Sequence, residues 1–173
     1  MPRVFFITGT STGFGANLVQ EVLDRGDFAV ATARKPDTLS FKGTSDDNYL
    51  PVKLDVTIPQ DIQSAFAAAL HKFGRIDVVV NNAGYGLSGP FEELSDAQIK
   101  TQMDVNFFGL IAVTKKAMEV MRDQKPSGGL IQQVTSIGGQ RGHAASSMTD
   151  GAPADQRAVE FQPSPFTVPA SGQ

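Results

Sequence analysis

The chain has 173 residues, with 15 Lys and Arg, 18 Asp and Glu and 2 His, which gives a formal net charge of -3 at pH 7. Because 40% of the residues are hydrophobic and 19% are charged, with both signs mixed, the composition excludes an intrinsically disordered chain and gives no support for binding to nucleic acid or to a membrane surface. The absence of cysteine excludes disulfides and cysteine metal sites, and two histidines leave no metal centre to expect.

The sequence also lacks the features of an exported or membrane-spanning chain. No apolar run approaches the roughly 18 residues of a membrane-spanning helix. A strand pattern begins at residue 4, which leaves no room for a secretory signal. We therefore expect a cytoplasmic protein with a single domain.

The first predicted elements are a strand, a helix and a second strand. Residues 4–8 form a short apolar run that ends at glycines, which is typical of a buried parallel strand. A helix is predicted over 16–25, because its apolar residues share one helical face and Gly26 stands where a C-terminal cap glycine belongs. Residues 28–33 predict the second strand.

The next elements repeat this order. Residues 50–54 predict a weaker third strand, in which Pro51 favours an edge position of the sheet. A helix is predicted to begin at Pro59, in its first turn, and to end at Gly74. Residues 76–80 predict a fourth strand.

A long helix and a fifth strand follow. Ser95 with Gln98 three residues later forms a capping-box pattern, and the helix it opens is predicted to continue to about Arg122. Residues 130–135 predict the fifth strand. This alternation of strands and helices predicts an α/β fold, with a doubly wound parallel sheet of about five strands and right-handed crossovers.

The pattern stops after residue 142. Residues 144–173 contain no Leu, Ile or Lys and hold four of the ten prolines. We therefore expect residues 1–142 to form a domain that is incomplete at its C-terminus, and residues 143–173 to form a disordered or aberrant tail. The fifth strand would then be an exposed sheet edge and the chain marginally stable.

A glycine-rich loop lies between the first strand and the first helix. Glycines there let the backbone turn tightly and approach a pyrophosphate at the helix N-terminus. The spacing is Gly-x-x-x-Gly-x-Gly, and a turn without any ligand is the alternative. The residues expected to contact a dinucleotide in this loop are Gly9, Thr10, Ser11, Gly13, Phe14 and Gly15.

Two charged residues follow the second and third strands. In dinucleotide-binding folds an acid at the end of the second strand binds the ribose 2′-hydroxyl, whereas an arginine accommodates a 2′-phosphate. Arg34 occupies this region, and residues 31–35 contain no carboxylate, which favours NADP(H) over NAD(H), although a solvated loop cation is the alternative. Asp55, after the third strand, either binds an adenine amine or caps the turn before Pro59.

The sequence Asn81-Asn82-Ala83-Gly84 directly follows the fourth strand. Together with the glycine loop it resembles the short-chain dehydrogenase/reductase family, over roughly residues 3–142. The resemblance implies a Rossmann-like doubly wound sheet, a nicotinamide dinucleotide and hydride transfer between a hydroxyl and a carbonyl. Beyond the loop, it implies cofactor contacts from Arg34, Asp55, Val56, Asn82, Ala83 and Gly84, with Asn81 bracing the central strand.

The same resemblance implies a catalytic role for two residues. Ser136, after the fifth strand, matches the family's catalytic serine, and a turn-forming serine is the alternative. Asn106 matches the helix asparagine that holds a water near the catalytic lysine, and a helix asparagine bonded to backbone is the alternative.

The family's catalytic tyrosine and lysine have no counterpart in this chain. The tyrosine is expected about a dozen residues after Ser136 and the lysine four residues later, but the chain's tyrosines are Tyr49 and Tyr85 and its last lysine is Lys125. Three hypotheses remain: an NADP(H)-dependent oxidoreductase for a small alcohol or carbonyl, a non-catalytic NADP(H)-binding protein, and a non-functional truncated product. A homo-oligomer is compatible with all three.

Overall fold

The computed structural model describes residues 1–135 and the backbone of the strand Val159–Phe161. A six-stranded sheet in the order β3-β2-β1-β4-β5-β6 organises them, and its first five strands are parallel. The α/β fold with a five-stranded parallel sheet is thereby confirmed. The strands are β1 Val4–Ile7, β2 Phe28–Ala33, β3 Tyr49–Lys53, β4 Val78–Asn81, β5 Gly129–Gln133 and β6 Val159–Phe161.

Four α-helices connect the parallel strands, and their ends follow local sequence signals. They are α1 Gly13–Asp24, α2 Pro59–Phe73, α3 Asp96–Met103 and α4 Leu110–Asp123. Helix α2 has Pro59 in its first turn and ends at Gly74, whose φ of 74° is left-handed. The predicted capping box is present, because Ser95 accepts from the backbone of Gln98 and the Gln98 side chain accepts from the backbone of Ser95.

The prediction of a single helix from Ser95 to about Arg122 is wrong in one respect. A π-helical segment, Asp104–Gly109, separates α3 from α4. The wider turn of a π segment rotates the side chains that follow it, and such segments are frequent at functional sites. Apolar spacing alone does not distinguish one wide turn within a long helix, so nothing in the sequence indicates this segment.

The sheet buries an apolar cluster on each face. Helices α2 and α4 cover one face, where Phe6 stacks on Phe66 with ring centroids 4.3 Å apart. Helix α1 covers the other face with a smaller cluster that includes Val19 and Val22. Strand β3 is an edge strand, as Pro51 predicted.

The predicted tail contains an unexpected strand. β6 pairs antiparallel with β5 over three residues, so the edge of β5 is covered there rather than exposed. A run of three residues is too short to show the alternation that identifies a strand in a sequence. The domain boundary at residue 142 lies outside the described residues. None of the described helices combines the length and the apolar character that crossing a membrane requires.

Candidate functional site

A cavity of about 820 Å³ opens at the carboxyl ends of the parallel strands. In open α/β sheets this edge, where neighbouring crossovers go to opposite faces, is the usual place of ligand binding. The loops that follow β1, β2, β3 and β4 all contribute to its wall. The predicted residues that line it are Gly9, Ser11, Gly13, Phe14, Gly15, Arg34, Asp55, Val56, Asn82, Ala83 and Gly84, joined by Thr12, Ala33, Leu54, Thr57, Tyr85, Thr101 and Val105.

The glycine loop is shaped by close backbone packing. Gly9 has a φ of +70°, and a Cβ atom there would lie 2.7 Å from the Cα of Ala83. A Cβ atom on Gly15 would overlap the carbonyl oxygen of Gly9 and the side chain of Asn82. Gly13 also has a left-handed φ, of +60°, but no atom lies within 4 Å of its Cβ position, which leaves this part of the loop open. The loop is therefore a cradle at the N-terminus of α1 that suits a phosphate.

The other loop residues divide between the cavity and the protein interior. Ser11 and Phe14 line the cavity, and Phe14 is 63% exposed. Thr10 is buried, and both its backbone N–H and its hydroxyl donate to the carbonyl of Thr32, over 3.0 and 3.1 Å. Thr10 therefore anchors the loop to β2 and does not form part of the cavity wall.

Thr8 joins the loops after β1 and β4, a role that the sequence does not reveal. Its buried hydroxyl oxygen accepts from the backbone N–H groups of Asn82 and Ala83, over 3.0 and 2.9 Å, and the hydroxyl lies 3.4 Å from the carbonyl of Val80, to which it donates. The side-chain amide of Asn82 donates in return to the carbonyls of Thr8 and Gly9, each over 2.9 Å. Nothing in the sequence distinguishes Thr8 from the other hydroxyl residues of this loop.

The part of the cavity beside the ends of β2 and β3 carries both predicted charges. Arg34 lines the cavity and is exposed, and no carboxylate of the described residues forms an ion pair with it. Asp55 lines the same wall and also caps its turn, because its Oδ1 accepts from the N–H and the hydroxyl of Thr57, over 3.0 and 2.7 Å. Burial opposes ionisation of Asp55, but the Thr57 hydrogen bonds and the charges of Arg34 and Lys53 outweigh it, so the pKa of Asp55 is lowered.

Asn81 lies below the cavity rather than on its wall. Its side-chain amide donates to the hydroxyl oxygen of Thr114 on α4 over 2.9 Å, and Gln133 of β5 donates to the same oxygen over 3.1 Å. Asn81 is 4% exposed, so these bonds fasten the ends of β4 and β5 to α4 inside the protein. This arrangement agrees with a bracing role.

Asn106, in the π segment, bonds to the backbone of the loop after β4. Its Oδ1 accepts from the N–H of Tyr85 over 3.0 Å, and its Nδ2 donates to the carbonyl of Tyr85 over 2.8 Å. This is the backbone-bonded alternative considered for Asn106. Ser136 lies outside the described residues, and within those residues no group of His, Asp or Glu side chains is suited to a metal ion.

The chain is similar in sequence to known proteins. The family model described as short chain dehydrogenase matches residues 3–148. Oxidoreductase calM of Penicillium decumbens is 43% identical over 140 residues, which cover 78% of this chain and 46% of calM. The chain spans about half the length of the curated relatives it matches.

Solved structures resemble the fold closely. The 3-ketoacyl-(acyl-carrier-protein) reductase from Brucella melitensis, complexed with NADH, is 27% identical with a TM-score of 0.79, over 86% of this chain and 63% of that chain. A variant of ElxO with NADPH bound is 29% identical with a TM-score of 0.75, over 87% of this chain and 62% of that chain.

Proposed function

The chain belongs to the short-chain dehydrogenase family of oxidoreductases, and on this premise we propose that it binds NADP(H) for the interconversion of a small-molecule hydroxyl and carbonyl. One observation carries the proposal: an open glycine cradle and an exposed arginine line the same cavity at the carboxyl edge of a parallel sheet. The cradle suits the pyrophosphate, and Arg34 suits a 2′-phosphate on the ribose.

The residues present fit such a cofactor. Helix α1 begins at Gly13 within the cradle, where its first backbone N–H groups, which have no acceptor inside the helix, and the helix dipole favour negative charge. Arg34 has a planar, permanently charged guanidinium that forms two parallel bonds to a phosphate. The absence of an acid from the end of β2 removes the acceptor that a free 2′-hydroxyl would use. These features together favour NADP(H) over NAD(H).

The nicotinamide group, when bound, supplies the hydride chemistry. Thr8 and Asn82 hold the loops after β1 and β4 together, and Asn106 fixes the backbone of Tyr85 in the wall of the cavity. Ser136, which follows β5 in the sequence, is the residue proposed to polarise the substrate oxygen. Catalysis also needs a general base, which the family resemblance implies is a tyrosine. A tyrosine phenol has an ordinary pKa near 10 and needs a neighbouring cation to act as a base at neutral pH.

A second candidate is a protein that binds NADP(H) without turnover. The observation that favours it is the composition of the chain after Ser136, which contains neither tyrosine nor lysine. The glycine cradle and Arg34 serve this function equally well. The two candidates therefore share the cofactor and differ only in the chemical step.

The test separates the cofactor from the reaction. We expect NADPH to bind more tightly than NADH when either is titrated by nicotinamide fluorescence. Arg34→Ala removes charge-assisted hydrogen bonds worth about 1.5–3 kcal/mol and should weaken NADPH binding by about ten- to a hundredfold, with little change for NADH. Lys35→Ala, which removes a neighbouring charge without fork geometry, is the matched control and should have a smaller effect.

Turnover with a panel of aldehydes, ketones and alcohols then decides between the two candidates. Binding with turnover supports the oxidoreductase, and binding without turnover supports the non-catalytic protein. Absence of binding of either nucleotide refutes both and supports a non-functional product. Equal affinities for NADPH and NADH that do not change in Arg34→Ala refute the proposed preference for NADP(H). Sedimentation of the same sample tests whether the protein is a homo-oligomer.

A further inference from the structure

Two amide side chains hold the main chain of Tyr85. Asn106 contacts both its N–H and its carbonyl, as described above, and the side-chain Nε2 of Gln102 donates to the same carbonyl over 3.1 Å. Gln102 and Asn106 are four residues apart and therefore lie one above the other on the same helical face. One carbonyl thus accepts from two successive turns, which fixes the Tyr85 peptide more firmly than either bond alone.

Gln102 is an unusual side chain for a place this deep in the protein. It is 2% exposed, and its Oε1 has no hydrogen-bond partner among the described residues. A buried acceptor without a partner is unfavourable, so an apolar side chain of similar size would suit the fold at least as well. The bond to Tyr85 is the one polar contact of the Gln102 side chain within residues 1–135, and it is the contact that an apolar side chain would lose.

The residues next to Gln102 and Asn106 face the cavity. Thr101 and Val105 line it from the same helical stretch, and Tyr85, which is 43% exposed, lines it from the loop after β4. We infer that Gln102 is a positioning residue that sets the orientation of the Tyr85 ring on the wall of the cofactor cavity. The inference rests on the proposed function for its ligand, but the order of Tyr85 is measurable without any ligand.

The sequence provides a spectroscopic reporter of this ring. The chain has no tryptophan and two tyrosines. The hydroxyl of the other one, Tyr49, is buried without a partner among the described residues, so Tyr49→Phe removes an unfavourable group and should leave the fold intact. In this background, tyrosine fluorescence, which is excited at longer wavelengths than that of phenylalanine, comes from Tyr85 alone. Its anisotropy reports the mobility of the ring, and its quenching by NADPH reports the position of the ring relative to the cofactor.

The test variant is Gln102→Met, and the matched control is Gln133→Met, both made in the full chain with Tyr49→Phe. Gln133 likewise donates one bond, to Thr114, and likewise has a buried Oε1 without a partner among the described residues, but it does not contact Tyr85. Both changes remove the same groups, so a merely structural effect should be similar in the two variants.

We expect Gln102→Met to lower the anisotropy of Tyr85 without cofactor, to reduce its quenching, and to weaken NADPH binding by up to about tenfold, the factor that corresponds to one net hydrogen bond. Gln133→Met should change none of these. Equal anisotropy and quenching in the two variants would overturn the inference. If NADPH does not bind even to the Tyr49→Phe protein, the proposed function fails, and the anisotropy without cofactor still decides the role of Gln102.

A second variant covers the case in which Gln102→Met does not fold. Gln102→Leu places a smaller apolar side chain with a high helix propensity at the same position and is measured in the same way. Unfolding of both variants, with Gln133→Met folded, would also overturn the inference, because Gln102 would then be required by the fold and not by Tyr85.

Discussion

Replacing Thr8 with valine tests how the two loops of the cavity are held together. Valine has almost the same shape as threonine but lacks the oxygen that accepts from the N–H groups of Asn82 and Ala83. Each buried N–H group left without a partner costs about 1–3 kcal/mol. Asn82 and Ala83 are half-buried, so partial hydration of this loop places the sum near the low end, at about 2–3 kcal/mol.

Thr32→Val provides the matched control. Thr32 is also fully buried in the same region, but its hydroxyl donates to one carbonyl, that of Ile7 over 3.0 Å, and the structure shows no N–H group donating to it within residues 1–135. A carbonyl tolerates the loss of a partner better than an N–H group does, and we expect a cost of about 1 kcal/mol.

The assay is urea unfolding followed by far-ultraviolet circular dichroism, because the chain has no tryptophan. Thr8→Val should lower the free energy of unfolding by about 2–3 kcal/mol, a large part of the 5–15 kcal/mol of a typical domain, with an unchanged m value. Thr8→Ser, which retains the oxygen, should recover most of this loss. Equal losses in Thr8→Val and Thr32→Val would refute the reasoning, because the two N–H groups would then not need the oxygen of Thr8.

Further predictions concern the cradle and the pH dependence. Gly15→Ala should abolish nucleotide binding and destabilise the fold by more than the roughly 1–3 kcal/mol of an ordinary overpacked site, because its Cβ atom would overlap the backbone of Gly9. The control is Gly26→Ala, at an open position with a φ of +76°, which should cost about 1 kcal/mol and leave nucleotide binding unchanged. Thermal melts measure the stability of both variants, and NADPH titrations measure their binding. The lowered pKa of Asp55 means that its ionised form stabilises the folded chain above the ordinary pKa of about 3.9 and that this stabilisation is lost as the pH falls through the lower folded value. Asp55→Asn should therefore make the free energy of unfolding less dependent on pH in urea titrations between about pH 5 and 2, and an unchanged dependence would refute the assignment.

Much of the fold could be predicted because short-range signals control it. Short apolar runs identified the five parallel strands, and Pro59, Gly74 and the pair of Ser95 and Gln98 marked helix ends whose geometry depends on neighbouring residues. The glycine loop and the acidic and basic residues after the strands identified the cavity for a similar reason. The carboxyl ends of parallel strands meet at one edge, whichever loops connect them.

The parts that escaped prediction depend on distant contacts. Thr8 acts on residues that are 74 and 75 positions away, and its neighbours in the sequence do not show this. The hydrogen bonds from Gln102 and Asn106 to Tyr85 depend on how the helix packs against the loop after β4. The π segment Asp104–Gly109 is a deviation of less than one turn from the periodicity that predicted the helix.

The unequal covering of the two sheet faces has a consequence for local unfolding. The glycine cradle ends in α1, and α1 is attached to the smaller apolar cluster, whereas α2 and α4 share the larger one. Partial opening of a protein begins where the least apolar surface is buried, so α1 should detach from the sheet before α2 and α4 do. A nucleotide that binds the cradle stabilises the docked form of α1 by mass action. Backbone amide exchange of α1 should therefore slow markedly when NADPH is present, while that of α2 changes little.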